Sequence, residues 1–225
     1  MIALCGIGWI NKEEYMCVMK GLRVRYKDAT SFDGLSKKGI FSYPFKNFGR
    51  FDPVSKMVCY SVALALKDAD ESYSPDIKKD MGIIGTNTDG SLQSDIDYFK
   101  DYVDCGRKLS RGNLFIYTLP TSPLAEAAIH FGLQGPLLYI TSGCLDVPLI
   151  IRTAEEMMLL NETQSVLAGV NSKDEAVYFV FKKEPGSESP ALCNVPEAVS
   201  VTEKGTSLQE TAEKFLMLKK RKCLQ

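Results

Sequence analysis

Apolar positions along the chain change their spacing from one segment to the next, and this change separates predicted strands from predicted helices. Short apolar or β-branched runs bounded by glycines or polar turns are typical of buried strands. The chain has five such runs: Ile2–Ile7, Met81–Thr86, Leu137–Ser142, Val166–Val170 and Ala176–Phe181. Because only a short turn separates the last two runs, we expect them to pair as antiparallel neighbours.

Apolar residues at helical spacing predict the helices that alternate with these strands. The predicted helices are residues 53–69, residues 92–103, a segment capped by Thr121 or Ser122, residues 148–160 and residues 208–220. Residues 9–50 lack a regular pattern, so we predict a loop-rich segment there. The alternation of strands and helices predicts an α/β fold, with a mostly parallel but mixed five-stranded sheet and helices on both faces.

A change of composition after residue 183 divides the chain into two predicted parts. Residues 1–183 contain the alternating strands and helices and should form one domain. A chain of 225 residues with 45% hydrophobic residues can bury a hydrophobic core large enough for such a domain. The stretch "EPGSESP", residues 184–190, has the composition of a linker. Residues 184–225 are therefore predicted to be a linker followed by a C-terminal helical tail.

Charge and cysteine content argue against several classes of protein. The 27 basic and 28 acidic residues leave a formal net charge of -1, which does not favour nucleic acid or an anionic membrane as a partner. The apolar N-terminus is too short to span a bilayer and lacks the basic residues of a signal peptide, so we expect a cytoplasmic location. Seven cysteines without a Cys-x-x-Cys pair argue against a disulfide framework or a zinc site.

The single histidine, His130, limits the possible chemistry further. A mechanism with two histidines or a multi-histidine metal site cannot be completed, and we expect neither a metal nor a cofactor. His130 lies between apolar residues at the end of a predicted helix, where an imidazole usually packs or caps carbonyls. The glycines at 6 and 8, and at 85 and 90, lack the third glycine or the Gly-Lys-Ser ending of phosphate-binding loops.

Cys144 is the candidate nucleophile, because it follows a predicted strand and comes just before a predicted helix. A thiol at the positive end of a helix dipole is more readily deprotonated. Nucleophilic cysteines also need a proton acceptor or an oxyanion-stabilising neighbour, and the next residues, Leu145 and Asp146, supply neither. The Asp146 carboxylate would oppose formation of the thiolate.

Four stretches occur in an order that is typical of one enzyme family: "IALCGIGWI", "FGRFDPVSKMVCYSVALALKDAD", "MGIIGTNTDGSLQS" and "LPTSPLAEAAIHFGLQGP". Together with the spacing from Gly135 to Cys144, they resemble the N-terminal half of a β-ketoacyl-acyl-carrier-protein synthase, a condensing enzyme with the thiolase fold. The resemblance covers residues 1–183. The resemblance implies that the chain forms one half of a thiolase-like fold.

The resemblance also implies that Cys144 occupies the place of the family's acyl-accepting nucleophile. The family usually follows that cysteine with small residues, where this chain has Leu145 and Asp146. The family's second half carries two catalytic histidines and a lysine, and no position of this chain corresponds to them. A long excursion between the last two strands is reduced here to the turn "NSKDE", which would remove part of the acyl-pocket wall.

In dimers of this family, the strand before the cysteine lies at the sheet edge and pairs across the two-fold axis. The corresponding residues of this chain are Leu137, Leu138, Tyr139, Ile140 and Thr141. An unpaired apolar edge strand invites aggregation, so we expect a second subunit to cover it. The resemblance thus predicts a dimer, either with a full-length ketosynthase subunit or with a second copy of the chain.

Three functions remain open on the sequence alone. The first is an auxiliary subunit similar to a chain-length factor, which pairs with a complete ketosynthase in fatty acid or polyene/polyketide biosynthesis. The second is an acyltransferase or condensing enzyme that uses Cys144. The third is a homodimeric protein that binds an acyl chain or an acyl carrier protein without catalysis. The basic run "LKKRK" at residues 218–222 could contact an acidic carrier protein, although charged termini are usually just solvated.

Overall fold

The structure, a computed structural model, describes residues 1–26, 32, 35–108, 110–185 and 191–224. Within these residues the chain forms one mixed sheet of eight strands: β1 (Ile2–Asn11), β2 (Glu14–Cys17), β3 (Leu22–Arg25), β4 (Met81–Asn87), β5 (Leu137–Tyr139), β6 (Ser165–Asn171), β7 (Glu175–Lys183) and β8 (Cys193–Asn194). The helices in the same residues are α1 (Pro53–Asp68), α2 (Leu92–Asp104), α3 (Gly112–Phe115), α4 (Ser122–Phe131), α5 (Val147–Leu159), α6 (Val195–Val201) and α7 (Leu208–Lys222). The predicted α/β class and mixed sheet are confirmed.

The strand order places β5 at one edge of the sheet and β3 at the other. The order is β3-β2-β1-β7-β6-β4-β5, and β8 pairs with the first residues of β1. Strands β4, β5 and β6 are parallel to one another. The remaining pairs are antiparallel, including β6 with β7, as the short turn between them requires.

The predicted count of five strands is wrong, because three further strands extend the sheet. β2 and β3 lie in the segment that was expected to be loop-rich, and β8 lies in the predicted tail. They contain only four, four and two residues, too few to show a clear alternation, and pairing along β1 stabilises β2 and β8 instead. Parts of the loop-rich segment (27–31, 33 and 34) and of the linker (186–190) lie outside the described residues.

Two glycines let α1 approach the sheet closely. Gly6 and Gly8 lie inside β1, which continues to Asn11 and does not end at Ile7 as predicted. A Cβ atom added to Gly8 would lie 2.3 Å from Ala65 N and 2.4 Å from Ser61 O, both in the backbone of α1. The helix begins where Asp52 Oδ1 accepts a hydrogen bond from Ser55 N at 3.0 Å. These glycines are therefore needed for close packing of α1 on β1.

Helices cover both faces of the sheet. α1 and α4 contribute to one apolar core, and α5, α6 and α7 contribute to the other. On α5 the residues Ile150, Ile151 and Ala154 are buried, whereas Leu159 and Leu160 at its end are 63% and 65% exposed. α5 thus has one face in the core and one apolar end in solvent. No described helix is both long and apolar enough to cross a membrane.

The C-terminal helix α7 folds back onto the sheet, on the face that α5 covers. Leu208 and Phe215 of α7 are fully buried there. Glu175, at the start of β7, accepts hydrogen bonds from Leu208 N at 3.0 Å, from Gln209 N at 2.8 Å and from Trp9 Nε1 at 3.2 Å. One carboxylate therefore joins β1, β7 and the first turn of α7.

Candidate functional site

Cys144 lies in the short loop that leads from β5 into the N-terminus of α5, and its side chain is half-buried. The loop ends at Asp146, whose Oδ1 accepts a hydrogen bond from Leu149 N at 3.0 Å and caps α5. The N-terminal end of α5 carries the positive end of the helix dipole. The thiol thus lies next to a helix terminus that favours negative charge, as the sequence predicted.

Lys204 brings a positive charge to the same loop from the connection between α6 and α7. Lys204 Nζ lies 3.2 Å from Asp146 Oδ2. The carboxylate of Asp146, followed by the thiol of Cys144, raises the pKa of Lys204. The connection is held in place because Gly205 N donates to Leu145 O at 2.8 Å. Since the Lys204 side chain is 67% exposed, solvent weakens its electrostatic effect on its neighbours.

Ser142 adds a hydroxyl to this group. Its Oγ lies 3.7 Å from Cys144 Sγ, within hydrogen-bond distance for sulfur. The thiol of Cys144 thus has a hydroxyl, an ammonium and the N-terminus of α5 as its polar neighbours. The loop is therefore chemically suited to hold a nucleophilic thiol, which could attack an activated acyl group.

His130 is separated from Cys144 by the sheet. It belongs to α4, on the face opposite to α5, and its ring stacks on Phe45 with centroids 3.6 Å apart and planes 8° apart. The rings of Phe41 and Phe131 also pack against it. Burial lowers the pKa of His130 to about 4, so the imidazole is neutral at pH 7. His130 is therefore a packing residue.

The other described cysteines do not assemble into a second site. Cys5, Cys17, Cys59 and Cys193 are buried, and burial raises the pKa of the Cys17 thiol to about 12. Cys105 is exposed at the end of α2. Among the described residues, no group of three or more His, Cys, Asp or Glu side chains could hold a metal ion.

Strand β5, which contains most of the predicted interface residues, is an accessible edge strand. In the described sheet it pairs with β4 alone, and Leu137 and Leu138 are 39% and 40% exposed. The pairing with β4 continues past the strand, because Ile140 N donates to Gly85 O at 3.0 Å. A groove of about 340 Å³ runs between β5 and α5, with Leu138 and Leu160 among its lining residues. The edge and the groove together present apolar surface to solvent.

Sequence reasoning singled out Cys144 as a candidate but gave no indication that Lys204 lies beside it. Lys204 lies in the stretch "TEKGTS", residues 202–207, which carries no recognisable motif. Its importance comes from a contact between two loops that are distant in the chain, and no periodicity or spacing in the sequence indicates that contact.

Comparison with solved structures finds similar folds, whereas two sequence comparisons find no match. No protein-family model matches the sequence, and no curated protein matches it. The chain is similar to the ishigamide ketosynthase/chain length factor, with a TM-score of 0.63 and 14% identity, over 85% of this chain and 64% of that chain. It is also similar to a β-ketoacyl synthase from Burkholderia phymatum STM815, with a TM-score of 0.59 and 14% identity, over 81% of this chain and 59% of that chain.

A third similar structure is ketosynthase twelve from the bacillaene polyketide synthase in Bacillus amyloliquefaciens. Its TM-score is 0.55 at 14% identity, over 81% of this chain and 41% of that chain. The chain thus spans less than two thirds of the length of each of these structures. Similarity at this level of identity establishes the fold, which agrees with the resemblance seen in the sequence motifs. The chain has the thiolase-type fold of the ketosynthases.

Proposed function

We propose that the chain is an auxiliary subunit, similar in role to a chain-length factor, which pairs through β5 with a complete β-ketoacyl synthase. The proposed setting is fatty acid or polyene/polyketide biosynthesis in the cytoplasm. One observation carries the proposal: Cys144 lies where a nucleophile would lie, while the chain's single histidine is buried on the opposite face of the sheet.

The chemistry of condensation supports this role over an independent enzyme. A condensing enzyme must form a carbon–carbon bond after its nucleophile is acylated, and this step needs acid–base or electrostatic groups beside the thiol. The groups beside Cys144 are Ser142, Lys204 and the capped carboxylate of Asp146. They place a hydroxyl and an ammonium beside the thiol, but they do not include an imidazole. These groups alone do not supply the acid–base chemistry that condensation needs.

The exposed edge of the sheet supports pairing with another subunit. An edge strand offers unpaired N–H and C=O groups to a second strand. β5 combines such an edge with the exposed side chains of Leu137 and Leu138 and with the groove along α5. The fold similarity to the ishigamide ketosynthase/chain length factor supports a ketosynthase as the partner.

The proposal is tested by measuring the mass of complexes in solution. The chain is expressed alone and together with a complete ketosynthase from the same source, and both samples are analysed by light scattering. We expect a mixed dimer, which the double substitution Leu137→Lys and Leu138→Lys should disrupt. The matched control is Met217→Lys, which changes a 60% exposed apolar residue on α7. A self-dimer that the ketosynthase does not affect would contradict the auxiliary role and favour the non-catalytic homodimer.

Acyl transfer through Cys144 is a second candidate function, because Lys204 and Ser142 lie beside the thiol. In this reaction the thiolate attacks the carbonyl of an acyl thioester, and the thiol of the donor leaves as the new thioester forms. Incubation with an acyl thioester of N-acetylcysteamine, followed by intact-mass measurement, would show one added acyl group. The Cys144→Ala variant should then remain unmodified. An unchanged mass of the unaltered chain would exclude this candidate for that donor.

A further inference from the structure

A pocket with aromatic walls lies in the segment between β3 and α1, away from the loop that carries Cys144. Its volume is about 460 Å³, within the range of pockets that hold small molecules. We call it the aromatic pocket, and the residues that line it are Lys37, Lys38, Phe41, Ser42, Tyr43, Pro44 and Phe45. The pocket thus combines an apolar wall with positive charge.

The positive charge of this segment is not balanced by acidic residues of its own. Residues 35–51 contain three lysines, one arginine and no aspartate or glutamate, although the whole chain has a formal net charge of -1. Lys37 Nζ lies 5.0 Å from the centroid of the Phe48 ring. Among the described residues, neither Lys37 nor Lys38 forms an ion pair. The charge of the pocket therefore favours a negatively charged ligand.

Two carboxylates lie in an adjoining cavity of about 390 Å³, which shares three lining residues with the aromatic pocket. They belong to Asp70 and Glu71. Asp70 is paired with Lys20 at 2.5 Å. Glu71 is paired with Lys182 at 2.6 Å and also with Lys79. Because both carboxylates have lysine partners of their own, they do not cancel the positive charge of the aromatic pocket.

Contacts with distant parts of the chain fix the walls of the aromatic pocket. Ser42 N donates a hydrogen bond to Tyr73 OH at 3.0 Å, and Tyr43 OH donates to His130 O. The ring of Phe45 stacks on the ring of His130 with centroids 3.6 Å apart. The walls are therefore in place before a ligand arrives, which lowers the entropy that binding costs.

The rings in the wall favour a ligand that is itself aromatic. Phe41 is 6% exposed, and its ring meets that of Phe45 edge to face, with centroids 5.3 Å apart. Tyr43 and Phe45 are only partly buried, so part of each ring remains accessible. A planar ring can pack on them face to face or edge to face, and such contacts add to the free energy of burial. An aliphatic chain gains the burial alone.

We propose that the aromatic pocket binds a small aromatic anion, such as an aryl carboxylate or an aryl sulfonate. Its ring packs on Tyr43 and Phe45, and its charge lies beside Lys37 and Lys38. The site is separate from Cys144, because Phe41 belongs to the core on the face of the sheet that α1 and α4 cover, whereas α5 covers the other face. Binding here does not depend on pairing with a ketosynthase.

The first test locates the site on the full chain. The probe is 4-benzoylbenzoate, an aromatic carboxylate that crosslinks to nearby C–H bonds under ultraviolet light. Peptide mass spectrometry should place the crosslinks within residues 37–45, and an excess of naphthalene-2-carboxylate should suppress them. Crosslinks that fall only in other parts of the chain would overturn the proposal.

The second test measures affinity by calorimetry with three probes: naphthalene-2-carboxylate, the neutral naphthalene-2-carboxamide and the aliphatic octanoate. The double variant Lys37→Gln with Lys38→Gln should bind the naphthalene carboxylate about tenfold more weakly and the carboxamide unchanged. The matched control is Lys100→Gln with Lys220→Gln, which changes two exposed lysines on α2 and α7 and should bind normally. All three proteins should melt at the same temperature, because the four lysines are exposed.

Equal affinity of the two double variants for the naphthalene carboxylate would overturn the proposal, as would the absence of binding to the unaltered chain. Octanoate that binds as tightly as the naphthalene carboxylate would overturn the aromatic class of ligand. Higher salt should weaken binding of the carboxylate and leave the carboxamide unaffected. None of these results bears on the proposed auxiliary role, which the light-scattering measurement tests separately.

Discussion

Lys204 Nζ lies 3.2 Å from Asp146 Oδ2, and this contact joins the connection between α6 and α7 to the start of α5. The sequence alone suggests that Asp146 opposes ionisation of Cys144. In the structure the carboxylate caps Leu149 N and is paired with Lys204, so its charge is largely compensated. The electrostatic environment of Cys144 therefore depends on a residue from the predicted tail.

Replacing Lys204 with Met should slow alkylation of Cys144 by iodoacetate about twofold, because the loss of the ammonium removes an attraction for the anionic reagent. The effect is small since Lys204 is largely exposed. Peptide mass spectrometry measures the rate at each cysteine, and the exposed Cys105 is an internal control that should not change. Lys204→Arg should react like the unaltered chain. Equal alkylation rates of Cys144 in the unaltered chain and in the Lys204→Met variant would contradict an electrostatic effect of Lys204 on this reaction.

Replacing Gly8 with Ala should destabilise the fold by about 3 kcal/mol or more. The added methyl group would lie 2.3 Å from Ala65 N, so α1 must move away from β1. Urea unfolding followed by circular dichroism measures the loss. Gly49→Ala is the matched control, because a Cβ there meets no atom within 4 Å. A Gly8→Ala protein as stable as the control would show that α1 can shift without cost.

The stability of the chain should fall on acidification because of His130. Burial lowers its pKa in the folded chain to about 4 from 6.5, so between these values the unfolded chain binds a proton that the folded chain does not. The stabilisation is complete above pH 6.5 and is lost as the pH falls toward 4. Allowing for solvent access, the loss should be about 2 kcal/mol.

The measurement compares His130→Phe with the unaltered chain by urea unfolding at several pH values between 7.5 and 4.5. Other titrating groups are common to both proteins and cancel in the difference. The variant keeps an aromatic ring on Phe45 and cannot titrate. The free energy of unfolding of the variant, relative to that of the unaltered chain, should therefore increase as the pH falls. A difference that is constant with pH would mean that His130 is protonated without penalty.

Replacing Asp68 with Ala should cost about 3 kcal/mol of folding free energy. Asp68 is 2% exposed, and its carboxylate accepts hydrogen bonds from the backbone N–H groups of Ile7 and Met19 at 2.8 Å and of Lys20 at 2.9 Å. The variant leaves these three donors without a partner. Asp174→Ala, at an exposed ion pair with Lys12, should cost less than about 1 kcal/mol. Urea unfolding measures the loss of folding free energy in both variants. Similar losses would contradict the conclusion that the three hydrogen bonds to Asp68 stabilise the fold.

The elements with strong local signals were predictable from the sequence. α1 was predicted at residues 53–69 and spans Pro53–Asp68, and α5 was predicted at 148–160 and spans Val147–Leu159. Each helix has an aspartate cap just before it, a proline in its first turn and regularly spaced apolar residues. The position of Cys144 between β5 and α5 follows from the same local information.

The features that depend on distant contacts were not predictable. β2 and β3 are four-residue strands; β2 is placed in the sheet by pairing with β1, and β3 by pairing with β2. Gly6 and Gly8 resemble a turn in the sequence, and only the packed α1 shows why they lack side chains. Lys204 reaches Cys144 because α7 folds back onto the sheet. In each case, a residue's role depends on a partner far away in the chain.

The pairing of β1 with β7 has a consequence for how the protein is made. β1 lies beside β7 along its whole length, from Ile2 opposite Lys183 to Asn11 opposite Glu175. At typical synthesis rates, the ribosome needs roughly ten to thirty seconds to reach β7 after β1 has been translated. During that time one of the most apolar strands of the chain has no partner along one edge. Folding of the sheet is therefore late and non-local, and the nascent chain is exposed to aggregation until its last quarter is translated.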